Sequence, residues 1–374
     1  MKYPILVLGG YGNFGGKISE KLAKHSGIRV IVAGRDKQKA EDFARIMSHE
    51  TGSTIDAVKL DISESNLCKN IADTGEKLVI HSCGPFQGQS YSVAEACIES
   101  GINYIDLADG RSFVNGFEKL NIKAKQNNVL AVTGASSVPG LSSSVVDEFL
   151  SAFRELKEIE YGIAPGNQAD RGEATVKAIL SYTGRPFKRW QGGSWDDVYG
   201  WQEVHKQTFP CPIGKRWLAN CDIPDLELFH SRYPGLRTIK FYAGLEIGAL
   251  HIGLWLLSWS ARFRLVSNLS RYSRIITKMS CWVQTLGTDI GGMYIQMSGT
   301  DVNGNPKVLR WDLVAEDGDG PKIPTIPSII LAKKLAEGTL EEKGAKACVG
   351  LFSLAEFTDE VEDLNIWQKL TSVP

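Results

Sequence analysis

The 374-residue chain sets 42 Lys plus Arg against 43 Asp plus Glu, a net charge of −1. That balance excludes a large basic footprint for nucleic acid. With 43% hydrophobic and 23% charged residues, the composition is that of globular material able to bury a sizeable core, at a length that suggests two or three domains.

From the first residues to about 135, short β-branched apolar runs alternate with helix-patterned segments. Strands are expected at Ile5–Leu8, Arg29–Ala33, Thr54–Leu60, Leu78–Ser82, Tyr104–Leu107 and Leu130–Thr133. Between them Lys17–His25, Lys37–Met47, Ser92–Ser100 and Phe113–Gln126 carry apolar residues at helical spacing. Such alternation predicts βαβ units and a Rossmann-type, doubly wound parallel sheet in an α/β domain. A second, mixed α/β region follows: helix Ser144–Phe153, strand Glu158–Ala164, loop Pro165–Asp170 and helix Gly172–Tyr182. Residues 185–235 are rich in Trp, Pro and Gly and give weak periodic signals. Met293–Gly299 and Lys307–Ala315 flank Asn303-Gly304, a hairpin signature. Helical pattern resumes at Ser328–Glu337. The expected division is 1–135, an inserted domain at 136–324, and a segment at 325–374 that returns to the first domain.

The strongest chemical signal is Gly9-Gly10-Tyr11-Gly12-Asn13-Phe14-Gly15-Gly16, directly after the first strand and opening a helix. Gly10, Gly12 and Gly15 fit G-x-G-x-x-G. The first permits a tight turn, the second lets backbone approach a diphosphate, and the third allows close helix–strand packing. An NAD site usually carries a carboxylate about 20 residues further on. Here Arg35 stands at that spacing, and a guanidinium would pair with a 2′-phosphate. NADP is therefore the expected cofactor, the alternative being a solvated Arg35 with Asp36 as ribose ligand. Asp61 follows the third strand, either meeting the adenine or solvated in its loop. Cys83-Gly84-Pro85 follows the fourth strand, where backbone could run close to the nicotinamide ribose, or simply turn.

Catalytic candidates lie past the fifth and sixth strands. Asp109 could act as acid or base and Arg111 as an anion clamp, or the two could be an ion pair capping the next helix. Ser136, Ser137, Ser142, Ser143 and Ser144 could face an oxyanion or serve in N-capping. Arg171 could reach substrate or pack a domain. His81 reads as a core histidine. The six histidines lack metal-ligand spacing, and no metal is expected.

These residues resemble the saccharopine dehydrogenase-like family of NADP-binding oxidoreductases. The stretches that carry the resemblance are Gly9–Gly16, Ala33–Arg35, Cys83–Phe86, Asn103–Arg111, Thr133–Gly140, Arg171–Val176 and Gly320–Pro324. The branch it most resembles is the saccharopine dehydrogenase-like oxidoreductases, of which the trans-acting enoyl reductases look like relatives. The resemblance implies a Rossmann domain, an inserted substrate domain and hydride transfer with NADP. No arginine set suited to the two amino-acid moieties of saccharopine stands out, which leaves a small or lipid-like substrate open, C=N and C=C bonds being the candidates. A non-catalytic NADP-binding or interaction protein is the alternative.

Seven cysteines (68, 83, 97, 211, 221, 281 and 348) form no C-x-x-C pair, which argues for a reducing, cytoplasmic compartment. The run Ile5–Leu8 is too short for a signal peptide, and Ile247–Ala261 is shorter than the about 20 residues of a membrane span. From Ile247 to Thr288 there is no acidic residue. On one helix, Arg264, Arg271, Arg274 and Lys278 would share a face, with Leu265, Leu269, Tyr272, Ile276 and Met279 roughly opposite. Segment 247–282 thus suits peripheral contact with an anionic membrane, or a core or homodimer helix with a solvated basic face.

Overall fold

The computed structural model describes residues 2–64, 67–170, 172–266 and 269–373. The strands run, in chain order, β1 Tyr3–Leu8, β2 Ile28–Gly34, β3 Ile55–Lys59, β4 Leu78–His81, β5 Asn103–Asp106, β6 Leu130–Thr133, β7 Glu155–Ala164, β8 Pro186–Gln191, β9 Ser194–Tyr199, β10 His205–Thr208, β11 Lys215–Asn220, β12 Thr238–Leu245, β13 Gly291–Thr300, β14 Pro306–Ala315, β15 Gly344–Ala347 and β16 Ile366–Val373. Two compact units result: Met1–Leu141 with Lys322–Glu360, and Ser142–Pro321 with Val361–Pro374.

The first unit holds a seven-stranded sheet in the order β15-β6-β5-β4-β1-β2-β3. Every pairing is parallel. A parallel sheet is covered on both faces, so its central strands read as unbroken apolar runs. Ile5, Leu6, Val7 and Leu8 are accordingly buried. Helix α1, Asn13–Ala23, turns Ile18, Ser19, Leu22 and Ala23 inward, and helix α2, Lys37–Thr51, buries Ala40 and Ala44. Strand order reverses between β1 and β4. The carboxyl ends of β1, β2 and β4 therefore open on one crevice, the place where ligands collect in such sheets.

The second unit is a mixed sheet, β10-β11-β12-β7-β13-β14-β16, plus the β8–β9 hairpin. Among the described residues only β12–β7 is parallel in this sheet. Ala164, Phe209, Ile213, Leu218, Tyr242, Tyr294 and Val314 form a core on it. Strands β13 and β14 pair antiparallel from Gly291–Ala315 to Thr300–Pro306, and Gly304 takes φ +86° in the loop that joins them.

Three expectations change in the structure. Residues 325–374 do not all return to the first sheet: β15 does, pairing with β6, whereas β16 pairs with β14 in the second. Segment 113–126 is not one helix. The Tyr91 hydroxyl donates to the Phe113 carbonyl at 2.7 Å, taking the acceptor that helical continuation would use. Helix Arg111–Asn115 therefore gives way to a 3₁₀ turn at Gly116–Leu120 before helix Asn121–Gln126. Segment 247–282 is likewise broken into helix Gly248–Arg262, a 3₁₀ turn at Leu269–Tyr272 and helix Ser273–Trp282. Arg264 lies in the break with φ +60°, so it shares no helical face with Arg271, Arg274 and Lys278.

Glu76, in the loop before β4, is buried, and neither carboxylate oxygen has a partner from another described residue. Burial pushes its pKa from 4.5 up to about 7. A raised folded-state pKa favours the protonated form. Its stability contribution is complete below about pH 4.5, declines as pH rises through about 7 and levels off above. Glu76→Gln is expected to melt higher than the parent chain at alkaline pH, with the gap narrowing toward acid in thermal melts; a gap independent of pH would contradict this.

Candidate nucleotide-binding site

The turn between β1 and α1 is built on contacts too close for side chains. Gly9 has φ +73° and donates its N–H to the Ala33 carbonyl at 2.8 Å. Gly12 donates to the Gly9 carbonyl at 2.7 Å. A Cβ on Gly10 would lie 2.7 Å from the Val7 carbonyl oxygen, and one on Gly15 would lie 2.2 Å from that of Gly9. Glycine is required at both positions. Helix α1 starts immediately afterwards, with Gly12 as its N-cap, no capping side chain and no acidic residue in the first turn. The positive end of its dipole is left for an anion. The residues present fit a dinucleotide diphosphate.

At the carboxyl end of β2, Gly34 packs under the Tyr11 ring, and the Tyr11 hydroxyl accepts the Asp36 N–H at 3.1 Å. The Asp36 carboxylate caps α2 by accepting the Lys39 N–H at 3.2 Å. Asp36 and the neighbouring Arg35 are both exposed. Asp61 accepts the Ser63 N–H at 3.0 Å and the Ser63 hydroxyl at 2.8 Å. Those two bonds hold its carboxyl below the usual range, with the Arg35 charge adding to the effect.

The β4 end is stitched to β1. Ser82 donates its N–H and its hydroxyl to the Leu8 carbonyl, at 3.1 and 2.7 Å. The Cys83 sulfur lies 2.9 Å from where a Cβ on Gly9 would stand. Burial pushes the Cys83 thiol up to about 11, so it is neutral at physiological pH. The segment Cys83–Pro85 is held by the Gln89 side-chain amide, which donates to the carbonyls of Cys83 (2.8 Å) and Pro85 (2.7 Å).

One buried carboxylate organises the β5 and β6 ends. Asp106 Oδ1 accepts the Ala108 N–H, the Thr133 hydroxyl and the Gly134 N–H, each at 2.9 Å. Burial raises its pKa to about 6 even though these donors pull the other way. Beside it His81 Nδ1 meets the Tyr104 hydroxyl at 3.0 Å, and burial lowers the histidine to about 4, keeping it neutral.

Residues 5–132 match the saccharopine dehydrogenase NADP-binding domain. This part of the first unit is therefore similar to that domain. The chain is 26% identical over 152 residues to the saccharopine dehydrogenase-like oxidoreductase of Mus musculus, covering 37% of this chain and 35% of that protein. It is 24% identical over 146 residues to the lipid droplet localized protein of Caenorhabditis elegans, covering 37% and 34%. The chain thus aligns with only about a third of the length of these relatives. In fold it is similar to apo saccharopine dehydrogenase (L-Glu forming) from Saccharomyces cerevisiae, with a TM-score of 0.67, 16% identity and full coverage of both chains. It is also similar to homospermidine synthase from Legionella pneumophila, with a TM-score of 0.60, 10% identity and coverage of 99% and 92%.

The structure brings Gly9, Gly10, Tyr11, Gly12, Asn13, Phe14, Gly15, Arg35, Cys83, Gly84 and Pro85 to the carboxyl edge of β1, β2 and β4. Asp61 follows β3, where it serves the Ser63 turn. Asp109 is exposed and accepts the Gln87 side-chain amide at 3.1 Å; Arg111 opens a short helix. The serines after 140 face no solvent: Ser142, Ser143 and Ser144 are buried in the second unit, and Ser142 donates to Asp225 at 2.5 Å. Arg171 lies outside the described residues. Asp106 was missed because it reads as an ordinary strand position; a carboxylate closing the apolar run Tyr104-Ile105 is the signal that marks it. Among the described residues no group of three His, Cys, Asp or Glu side chains could hold a metal ion.

Proposed function

We propose that the chain is an NADP(H)-dependent oxidoreductase that moves hydride between nicotinamide and a small or lipid-like substrate. The observation that carries this reading is the uncapped N-terminus of α1 behind a turn where only glycine fits. N–H groups in the first turn of α1 would hold the diphosphate. The exposed Arg35 would pair with the 2′-phosphate through charge-assisted hydrogen bonds. Backbone at Cys83–Pro85 would border the nicotinamide ribose, and Asp61 the adenine. The nicotinamide supplies or accepts the hydride. Around it Asp109, exposed on a glycine-containing loop, would take or give the accompanying proton, and Arg111 would hold an anionic part of the substrate. A neutral Cys83 leaves no thiolate to compete as nucleophile.

Calorimetric titration tests the cofactor assignment. NADPH is expected to bind tighter than NADH, Arg35→Ala to weaken NADPH by about tenfold or more, and Asp36→Ala to leave the preference in place. Equal binding of the two nucleotides would contradict it. Turnover is read by NADPH absorbance over imines, enoyl esters and saccharopine; cofactor binding with no oxidation of any of them would favour a non-catalytic nucleotide-binding protein.

A second proposal concerns the surface of the other unit. Leu256, Leu257, Phe263, Leu265, Ile275 and Trp282 are exposed, close in sequence to exposed Arg264, Arg271, Arg274 and Lys278. Large exposed apolar side chains among basic ones favour peripheral contact with an anionic lipid surface. A relative named for lipid droplet localization is in keeping with this. Among the described residues no helix is long and apolar enough to cross a membrane. The chain is expected to pellet with vesicles containing anionic lipid, less so at high salt and less so as Trp282→Ser; absence of salt-sensitive pelleting would sink the proposal.

A further inference from the structure

Tyr11 occupies the variable place between Gly10 and Gly12, where many side chains would satisfy the turn. Here the phenol does something specific. Its ring lies so close over Gly34 that a Cβ there would meet ring atoms and the hydroxyl at 2.3–2.6 Å. The hydroxyl accepts the Asp36 N–H at 3.1 Å. A phenol that accepts one hydrogen bond still has its own proton to donate. Arg35 stands between these two anchor points and is exposed. The next residue, Asp36, holds the start of α2 by accepting the Lys39 N–H on one carboxylate oxygen.

At the carboxyl end of β2 the Arg35 guanidinium and the Tyr11 phenolic hydroxyl can both meet a nucleotide. Both are donors. A 2′-phosphate is an acceptor-only dianion and takes both, whereas an uncharged 2′-hydroxyl gains far less from a guanidinium. We propose that Tyr11 is a specificity-determining residue, its hydroxyl giving the cofactor 2′-phosphate a second donor beside Arg35. This rests on the reading of the turn as an NADP(H) site. Gly34 serves the same end: by carrying no side chain it lets the ring lie flat enough for the hydroxyl to reach the Asp36 N–H.

The test is calorimetric titration of the parent chain, Tyr11→Phe and Arg35→Ala with NADPH and NADH. Competition by adenosine 2′,5′-bisphosphate and by 5′-AMP gives the same comparison without the nicotinamide. Tyr11→Phe keeps the ring on Gly34 and removes only the hydroxyl, and melting temperature checks that the fold is intact. The variant is expected to lose about tenfold in NADPH and bisphosphate affinity while NADH and 5′-AMP stay within about twofold. An equal loss for all four ligands would reduce Tyr11 to packing and overturn the inference. A gain in NADPH affinity would show the ring blocking the site and overturn it equally. If the parent chain prefers NADPH, Arg35→Ala abolishes the preference and Tyr11→Phe does not, only this inference fails; if the parent chain shows no preference, the cofactor assignment fails with it.

Discussion

The closeness of α1 to the end of β1 is the constraint on which the first unit depends. A single methyl group on Gly15 would stand 2.2 Å from the Gly9 carbonyl oxygen and 2.6 Å from the Ser82 hydroxyl. Because neither position can give way easily, the helix begins as soon as the strand ends. Its N–H groups arrive at the carboxyl edge of the sheet rather than one turn above it. The same contact draws in β4, since Ser82 is bonded twice to the Leu8 carbonyl. Strand, helix and neighbouring loop are thus fixed relative to one another by a position that admits no side chain.

Around that contact, polar groups are used mainly to hold loops. Asp106 gathers donors from two segments that follow β5 and β6. Gln89 holds the Cys83–Pro85 backbone, and Tyr11 ties the glycine turn to the start of α2. Buried groups with a displaced pKa, His81 and Asp106 among them, lie beneath the edge and serve its rigidity. A site made this way presents backbone and a few donors on a stiff support, which suits recognition of a large anionic cofactor more than nucleophilic chemistry.

The first unit was legible because parallel strands buried on both faces announce themselves as apolar runs, and each of the six expected strands through residue 133 overlaps an observed one. The glycine turn was legible for a similar reason: its steric demands leave no other residue type. Segments 185–220 were not. Strand β9 has four exposed residues in succession, so its two faces carry no alternation to detect. Helix breaks at 116 and 263 were hidden because each depends on a partner distant in sequence or on a single left-handed residue. Strand β16 could not be assigned to a sheet, since its pairing with β14 spans tens of residues and no local pattern encodes a partner. Within the site, Asp36 Oδ1 caps α2, a role that spacing alone does not distinguish from contact with a ribose.

The most direct test of the account is a crystal structure of the chain grown with NADPH. The diphosphate is expected over the Gly10–Gly15 turn at the start of α1, with the 2′-phosphate within hydrogen-bond distance of Arg35. Nucleotide bound elsewhere, or a turn left empty at saturating NADPH, would contradict it.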